Sequence, residues 1–371
     1  MKKFKFLILV FTIFFQTLTV TGENKKKSDI IFGQSAFLSQ GSLQLYGEFI
    51  QNSINARFNR INKQGGIKGR NLRLVSMDDG GEPDKTEENV FFMKEKNVDM
   101  FFGNMGTRSV FKILPMTEKK DVAVFFPWGG ADQLRQPNLS HLVNGLGLIE
   151  PQIKALVKHA TKTLRLKKIA IFHDDGSFGI SNKNMTIEEL KKAGIEPKAI
   201  ASYNRFTMDI DRPAKKLIKA DPKIVICLAT SMPTVKLINK FLELGHYGTK
   251  FIGIDSTMLV GDILKRKGVP FSYASPMPDP KKSKLKIVEE FREDMKKYFP
   301  NDPINILSLS YYIHTAIIED GLKKIEGEIT KEKLLKQIEN MKNYDLGGFE
   351  VNFSPATRHA YEHKISMIGS E

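Results

Sequence analysis

At 371 residues, 41% hydrophobic and 27% charged, the chain is longer than one hydrophobic core usually serves, so two folded units are the first expectation. A single cysteine excludes an internal disulfide framework. The formal charge of +15 raises the question of nucleic acid, but the lysines fall in short groups (25–27, 191–192, 281–282, 296–297) mixed with acidic residues and form no aromatic-studded basic stripe; a solvated surface and no nucleic-acid partner are expected.

Residues 1–22 open with Lys2, Lys3 and Lys5, run through an apolar core at 6–15 and end among small polar residues, the pattern of a secretory signal peptide. The alternative, an uncleaved anchor, calls for a longer apolar core. A lipid-modified N-terminus would need a cysteine at the cleavage site, whereas Cys227 lies inside an apparent strand. The mature chain is expected to be soluble and exported.

A polar leader at 23–28 precedes a short strand at 29–34 and a loop at 35–41. From 44 to 62 the apolar residues Leu45, Tyr46, Phe49, Ile50, Ile54, Phe58 and Ile61 recur at three and four, which predicts a long amphipathic helix ended by Gly65 and Gly66. A strand over 72–77 closes in Asp78, Asp79 and Gly80, and Pro83 sits in the first turn of the next helix, 83–96. A strand from 98, a helix over 107–119, a strand over 122–126 and a loop over 127–144 follow. A second series then starts: helices at 151–163, 181–192, 209–219 and 233–244 alternate with strands at 168–173, 195–202, 223–228 and 250–254. Such alternation marks parallel sheets covered on both faces. After a strand at 271–274 comes a proline-rich linker at 275–280, then helices at 284–298, 306–325 and 330–340, with closing strands at 347–353 and 363–368.

The run 168–180 is the clearest unit. Ile169, Ala170, Ile171 and Phe172 form a buried strand that stops at His173, Asp174, Asp175 and Gly176 before a helix. The same grammar recurs at Gly103–Thr107 and Ala229–Ser231. Ligands in open α/β sheets collect beyond the carboxyl ends of the strands, so these tips are candidate binding elements.

Catalytic motifs are absent from the sequence: it contains no Gly-x-Ser-x-Gly, no phosphate-cradling Gly-x-x-x-x-Gly-Lys and no His-Glu-x-x-His. His359 and His363 stand at metal spacing without a third ligand nearby, so no metal and no cofactor are expected. The pairs Asp78–Asp79 and Asp174–Asp175 are open to two readings, acid–base carboxylates or turn residues bonded to local amides.

Leu38 to Gly47, the run Ile61-Asn62-x-x-Gly65-Gly66-Ile67-x-Gly69-Arg70, Asp78-Asp79, Gly103 to Thr107 and His173 to Gly179 fall in the order and at the spacings of the branched-chain amino-acid-binding family, and the chain resembles it nearly end to end. These are type I periplasmic substrate-binding proteins of ABC transporters. The resemblance implies an α/β fold of two doubly wound parallel-sheet lobes with a ligand cleft between them, residues 29–147 plus 276–353 forming one lobe and 148–275 plus 354–371 the other. It further implies a non-enzymatic, monomeric periplasmic protein that closes on a small polar ligand by hinge bending and delivers it to an inner-membrane ABC permease.

By the same resemblance, Thr107 with Gly106 beside it would hold a ligand carboxylate at a helix N-terminus, or Thr107 only caps that helix. Asp255 would meet an ammonium group, or is a turn residue. Tyr46 would wall the pocket, or belongs to the core. Phe178 stands where the family usually has a tyrosine, and Trp128, Gly129, Gly130 and Ala131 where it usually has a hydroxyl; Thr230 and Ser231 are candidate replacements. These two departures put leucine-like ligands in doubt. A sensor feeding a signalling partner and, from another class, an exported hydrolase using the Asp-Asp pairs are the competing readings.

Overall fold

The computed structural model describes residues 28–39, 43–145, 149–205, 207–356, 358 and 365–369. The expected signal peptide and the His359–His363 pair lie outside them. The chain enters through β1 (Ile30–Ala36), nearly all buried, and returns along α1 (Gln44–Lys63). The three-and-four stripe of α1 is its inner face: Tyr46, Phe49, Ile50, Ile54, Phe58 and Ile61 are all buried, whereas Leu45 is exposed. Gly66 ends the helix because its φ is +71° and a Cβ there would lie 2.1 Å from the Arg70 carbonyl oxygen. Next come β2 (Leu72–Asp78), α2 (Pro83–Glu95), β3 (Met100–Phe102), α3 (Thr107–Glu118), β4 (Ala123–Phe125) and β5 (Leu142–Val143). These five strands are parallel, in the order β2-β1-β3-β4-β5.

The second series is α4 (Ile149–Lys158), β6 (Ile169–Asp174), α5 (Ser177–Lys192), β7 (Ala199–Tyr203), α6 (Asp211–Lys219), β8 (Ile224–Leu228), α7 (Ser231–Glu243), β9 (Lys250–Ile254), α8 (Val260–Leu264) and β10 (Phe271–Ser275). After it come α9 (Lys286–Tyr298), α10 (Ile306–Lys324), α11 (Lys331–Glu339), the hairpin of β11 (Tyr344–Asp345) and β12 (Glu350–Val351), and β13 (Ser366–Gly369). The second sheet runs β13-β10-β9-β8-β6-β7, parallel except for β13, which pairs antiparallel with β10. From the β7 edge it repeats the first sheet's order: second strand, first, third, fourth, fifth. In such sheets the order reverses between the first and third strands, and the crevice at that reversal is where ligands bind.

α10 is buried along almost its whole length and packs on α1, as expected for a helix apolar on every side. The polar groups between these helices are paired. Arg57 on α1 meets Glu319 on α10 at 2.7 Å and lies over the Tyr312 ring, and Arg60 meets Asp294 on α9 at 3.2 Å. Among the described residues no helix is long and apolar enough to cross a membrane.

Several boundaries differ from the sequence expectation, for local reasons. α5 starts at Ser177 rather than 181, because Gly179 lets the first turn lie against Asp174, whose carbonyl oxygen would be 2.1 Å from a Cβ there. α7 starts at Ser231 rather than 233. The expected strand at 347–353 is half of a hairpin whose turn holds Gly347 and Gly348 at φ +76° and +90°. The expected loop at 127–144 contains a 3₁₀ turn, Asp132–Arg135, and β5.

Candidate functional site

The two sheets meet tip to tip, and Tyr46 spans the gap. It stands in the first turn of α1, which follows β1 of the first sheet. Its hydroxyl accepts from the Ser231 amide (3.0 Å), the first residue of α7, and donates to the Ser256 carbonyl (3.0 Å), just past β9. Both partners follow strands of the second sheet. The Tyr46 ring is 1% exposed, and burial raises its phenol pKa above the usual value. Trp128 stacks on it with ring centroids 5.3 Å apart. The indole is placed by its own backbone: the Trp128 amide donates to the Asn104 carbonyl (2.8 Å), and its carbonyl accepts from the Gly106 amide (2.9 Å).

Thr107 opens α3 without capping it; its hydroxyl oxygen accepts instead from the Gly130 amide at 3.2 Å, tying the tips of β3 and β4 together. Gly106 before it has φ +92°, and a Cβ there would stand 3.1 Å from the Phe37 ring. Gly130 faces the other sheet's unit: a Cβ on it would come within 2.8 Å of the Phe178 ring, in the first turn of α5. Gly130→Ala is therefore expected to hold the two halves apart and weaken ligand binding by about tenfold, roughly the 1–2 kcal/mol that overpacking costs, with little change in the melting temperature of the free protein. Calorimetric titration and thermal melts of the two proteins check this.

The remaining predicted residues lie on the second sheet's tips. Thr230 precedes α7, and its carbonyl accepts from the Thr234 hydroxyl. Ser231 is fully buried, its hydroxyl donating to the Ser256 carbonyl (3.3 Å) and accepting from the Leu259 amide (3.1 Å). Asp255, immediately after β9, is gripped at two points by Gln152 of α4: the Gln152 amide nitrogen donates to its carboxylate (2.9 Å), and its own backbone amide donates to the Gln152 side-chain oxygen (3.0 Å). Burial pushes the Asp255 carboxyl up to about 6, against the opposing pull of Gln152, the Ser256 amide and Arg135.

The structure thus brings Tyr46, Trp128 and Ser231 into one chain of contacts, and Thr107, Gly130 and Phe178 into another beside it. Gln152 and Ser256 were not singled out from the sequence. Neither carries a motif, and their roles arise only when α4 and the turn after β9 come together. Asn104, in the Gly103–Thr107 tip, is fully buried with neither side-chain amide atom hydrogen-bonded. The paired aspartates are engaged by amides and hydroxyls of their own turns and of the neighbouring strand ends. Asp78 accepts from the Leu38, Ser39 and Gly80 amides, and Asp79 from the Ser35 and Thr86 hydroxyls and the Gly81 amide. Asp174 likewise accepts from the Gly176 amide (2.8 Å), and Asp175 from the Asn204 side chain (2.9 Å).

Two parallel sheets of matching order with opposed tips define a type I periplasmic binding protein fold. Residues 37–368 match the family model described as periplasmic binding protein, and the chain belongs to that family. The Leu/Ile/Val-binding protein homolog 7 of Brucella abortus (strain 2308) is 22% identical over 319 residues, covering 82% of this chain and 80% of that protein. Among solved structures, a possible leucine/isoleucine/valine-binding protein from Rhodopirellula baltica SH 1 superposes with a TM-score of 0.81 at 23% identity, covering 93% of this chain and 94% of its own. A solute-binding protein of an ABC transporter from R. palustris, in complex with 4-hydroxybenzoate, superposes with a TM-score of 0.79 at 15% identity, covering 93% of each chain.

Proposed function

We propose that the chain is an exported solute-binding protein that closes two lobes, 29–147 plus 276–353 and 148–275 plus 354–371, around a small polar ligand and delivers it, as a monomer, to an inner-membrane ABC permease. The observation that carries this reading is the Tyr46 hydroxyl, which reaches from α1 across the gap to Ser231 and Ser256. A bond of this kind between opposed sheet tips forms on closure and breaks on opening, which is what a hinged captor requires. In the closed cleft water is excluded and each polar contact gains strength, so a few groups fix a ligand. Thr107 at the start of α3 supplies a hydroxyl on one side, and Asp255 an acidic group on the other.

The ligand class in this reading is an amino acid, an amide or a similar small molecule. Thermal-shift screening of amino acids, amides, urea and short-chain carboxylates against the mature protein tests it, a rise of several degrees being expected for at least one class. Asp255→Ala then assigns the acid. An amino-acid ligand held by its ammonium group is expected to lose about 100-fold or more in affinity, as when one partner of a buried charge pair is removed. Unchanged affinity would show that Asp255 serves only its Gln152 contact.

A further inference from the structure

The strands of the second sheet turn their tips toward the cleft and their starts toward the opposite end of the molecule, and those starts share one residue type. Lys168 precedes β6, Lys198 precedes β7, Lys223 precedes β8 and Lys250 opens β9. Far apart in the sequence, they stand side by side in the fold. The Lys198 amide donates to the Ile169 carbonyl (2.8 Å), the Lys223 amide to the Lys168 carbonyl (2.8 Å) and the Lys250 amide to the Lys223 carbonyl (3.0 Å). At the spacing of neighbouring strands the row is about 15 Å long. All four lysines are exposed. Asp221 meets the two in the middle, 3.1 Å from the Lys168 ammonium and 3.5 Å from that of Lys223, and Lys198 and Lys250 stand outside that group. A parallel sheet does not require lysine at these positions, since the first sheet has Asp29, Asn71, Asp99 and Val122 before β1 to β4. Beside the row lies an exposed apolar pair: Leu244 and Tyr247, in the link from α7 to β9, are 47% and 75% exposed. The Thr249 hydroxyl donates to the Pro222 carbonyl (3.0 Å), which fixes this link to the turn that carries Lys223.

We infer that this end of the molecule is a docking surface for an anionic lipid bilayer, the lysine row lying on the headgroup phosphates and Tyr247 and Leu244 entering the interfacial layer. Four charges spread along a sheet edge suit a plane of many phosphates better than one anion gripped in a pocket. An acidic protein segment is the competing occupant. The exposed ring and leucine beside the charges favour the bilayer, whose boundary takes the carbon of a tyrosine and leaves its hydroxyl in water. Because the strand tips point the other way, a docked molecule keeps its cleft open to the solvent. Export, as proposed above, is what places the chain beside a bilayer; ligand capture itself plays no part in this contact.

The probes are vesicles of phosphatidylcholine alone and of phosphatidylcholine with about 30% phosphatidylglycerol, co-sedimented with the mature protein at about 0.05 M salt, where screening is weak. The protein is expected to bind the anionic vesicles and not the neutral ones, and to come off at about 0.5 M salt. Lys198→Ala combined with Lys250→Ala should weaken that binding by about 25-fold, a factor of about five for each lysine near the surface. The same charge removed from exposed positions of the first half, in Lys296→Ala combined with Lys342→Ala, should leave it within about twofold of the parent. Tyr247→Ser should weaken it about fivefold through the lost apolar contact. No binding to the anionic vesicles, equal binding to the neutral ones, an equal loss in the two double variants, or unchanged binding in Tyr247→Ser overturns the inference. So does polyglutamate that holds the protein more tightly than the vesicles do and releases it in the Lys198/Lys250 variant, which assigns the row to an acidic protein partner. Each of these outcomes leaves ligand capture standing, since the thermal-shift panel reads that separately.

Discussion

Tyr46→Phe is expected to lower ligand affinity by about 5- to 150-fold while leaving the fold intact, because it removes one oxygen from the middle of the closed cleft. The ring and its stacking on Trp128 remain. What is lost is the partner of the buried Ser231 amide and one of the two donors to the Ser256 carbonyl, which keeps the Ser231 hydroxyl. A buried donor left unmade costs about 1–3 kcal/mol, and in an opened cleft water would satisfy the Ser231 amide. The whole effect therefore falls on the open–closed equilibrium, and apparent affinity drops with the closed population. Calorimetric titration gives the affinity, and small-angle scattering with and without ligand gives the closure. An affinity within twofold of the parent, with equal compaction, would remove Tyr46 from the closing mechanism.

The second large effect lies away from the cleft. Arg57 is 9% exposed and Glu319 5% exposed, and they meet at 2.7 Å between α1 and α10, with Glu290 3.5 Å from the same guanidinium. Removing one member of a buried pair costs about 3–5 kcal/mol, and Arg57→Ala leaves Glu319 with only the half-exposed Lys323 as a partner. Arg57→Ala is expected to lose about that much in urea unfolding, whereas Arg57→Met combined with Glu319→Leu recovers most of it, since an apolar pair of similar volume strands nothing. The pair also sets an acid limit. Burial acts to raise the Glu319 carboxyl, but Arg57 and Lys323 outweigh it and hold it below the usual carboxylate range. A depressed folded pKa stabilises fully above the unfolded value of about 4.3, and that contribution disappears as pH falls through the folded one. The parent should therefore lose stability below about pH 4 more steeply than the Met/Leu variant.

The architecture was legible in the sequence because buried parallel strands write themselves as short apolar runs and covering helices as three-and-four stripes. Ile169 to Phe172 and the stripe from Tyr46 to Ile61 are cases where one local pattern decides the element. The start of α5 was not legible: Ser177, Phe178 and Gly179 read as a turn, and only the close approach to Asp174 explains why they are helical. The site was partly legible. Tyr46 satisfied the core and pocket readings alike, since helical phase places a ring but not the target of its hydroxyl. That target lies 185 residues away in the chain, at Ser231. Gln152 carries no local signal, because an amide on a helix is ordinary until the opposing surface is known.

The last strand has a consequence for the order of events during synthesis. β13 pairs with β10 from beyond the three helices α9, α10 and α11, and α10, the helix against which α1 rests, is made only after both parallel runs are complete. Each half is therefore completed by a segment that follows both parallel runs in the sequence. Until then α1 carries Arg57 without Glu319 and β10 lacks its antiparallel neighbour, so the packing of the first sheet's helix and the outer edge of the second sheet both wait on residues made after their strands.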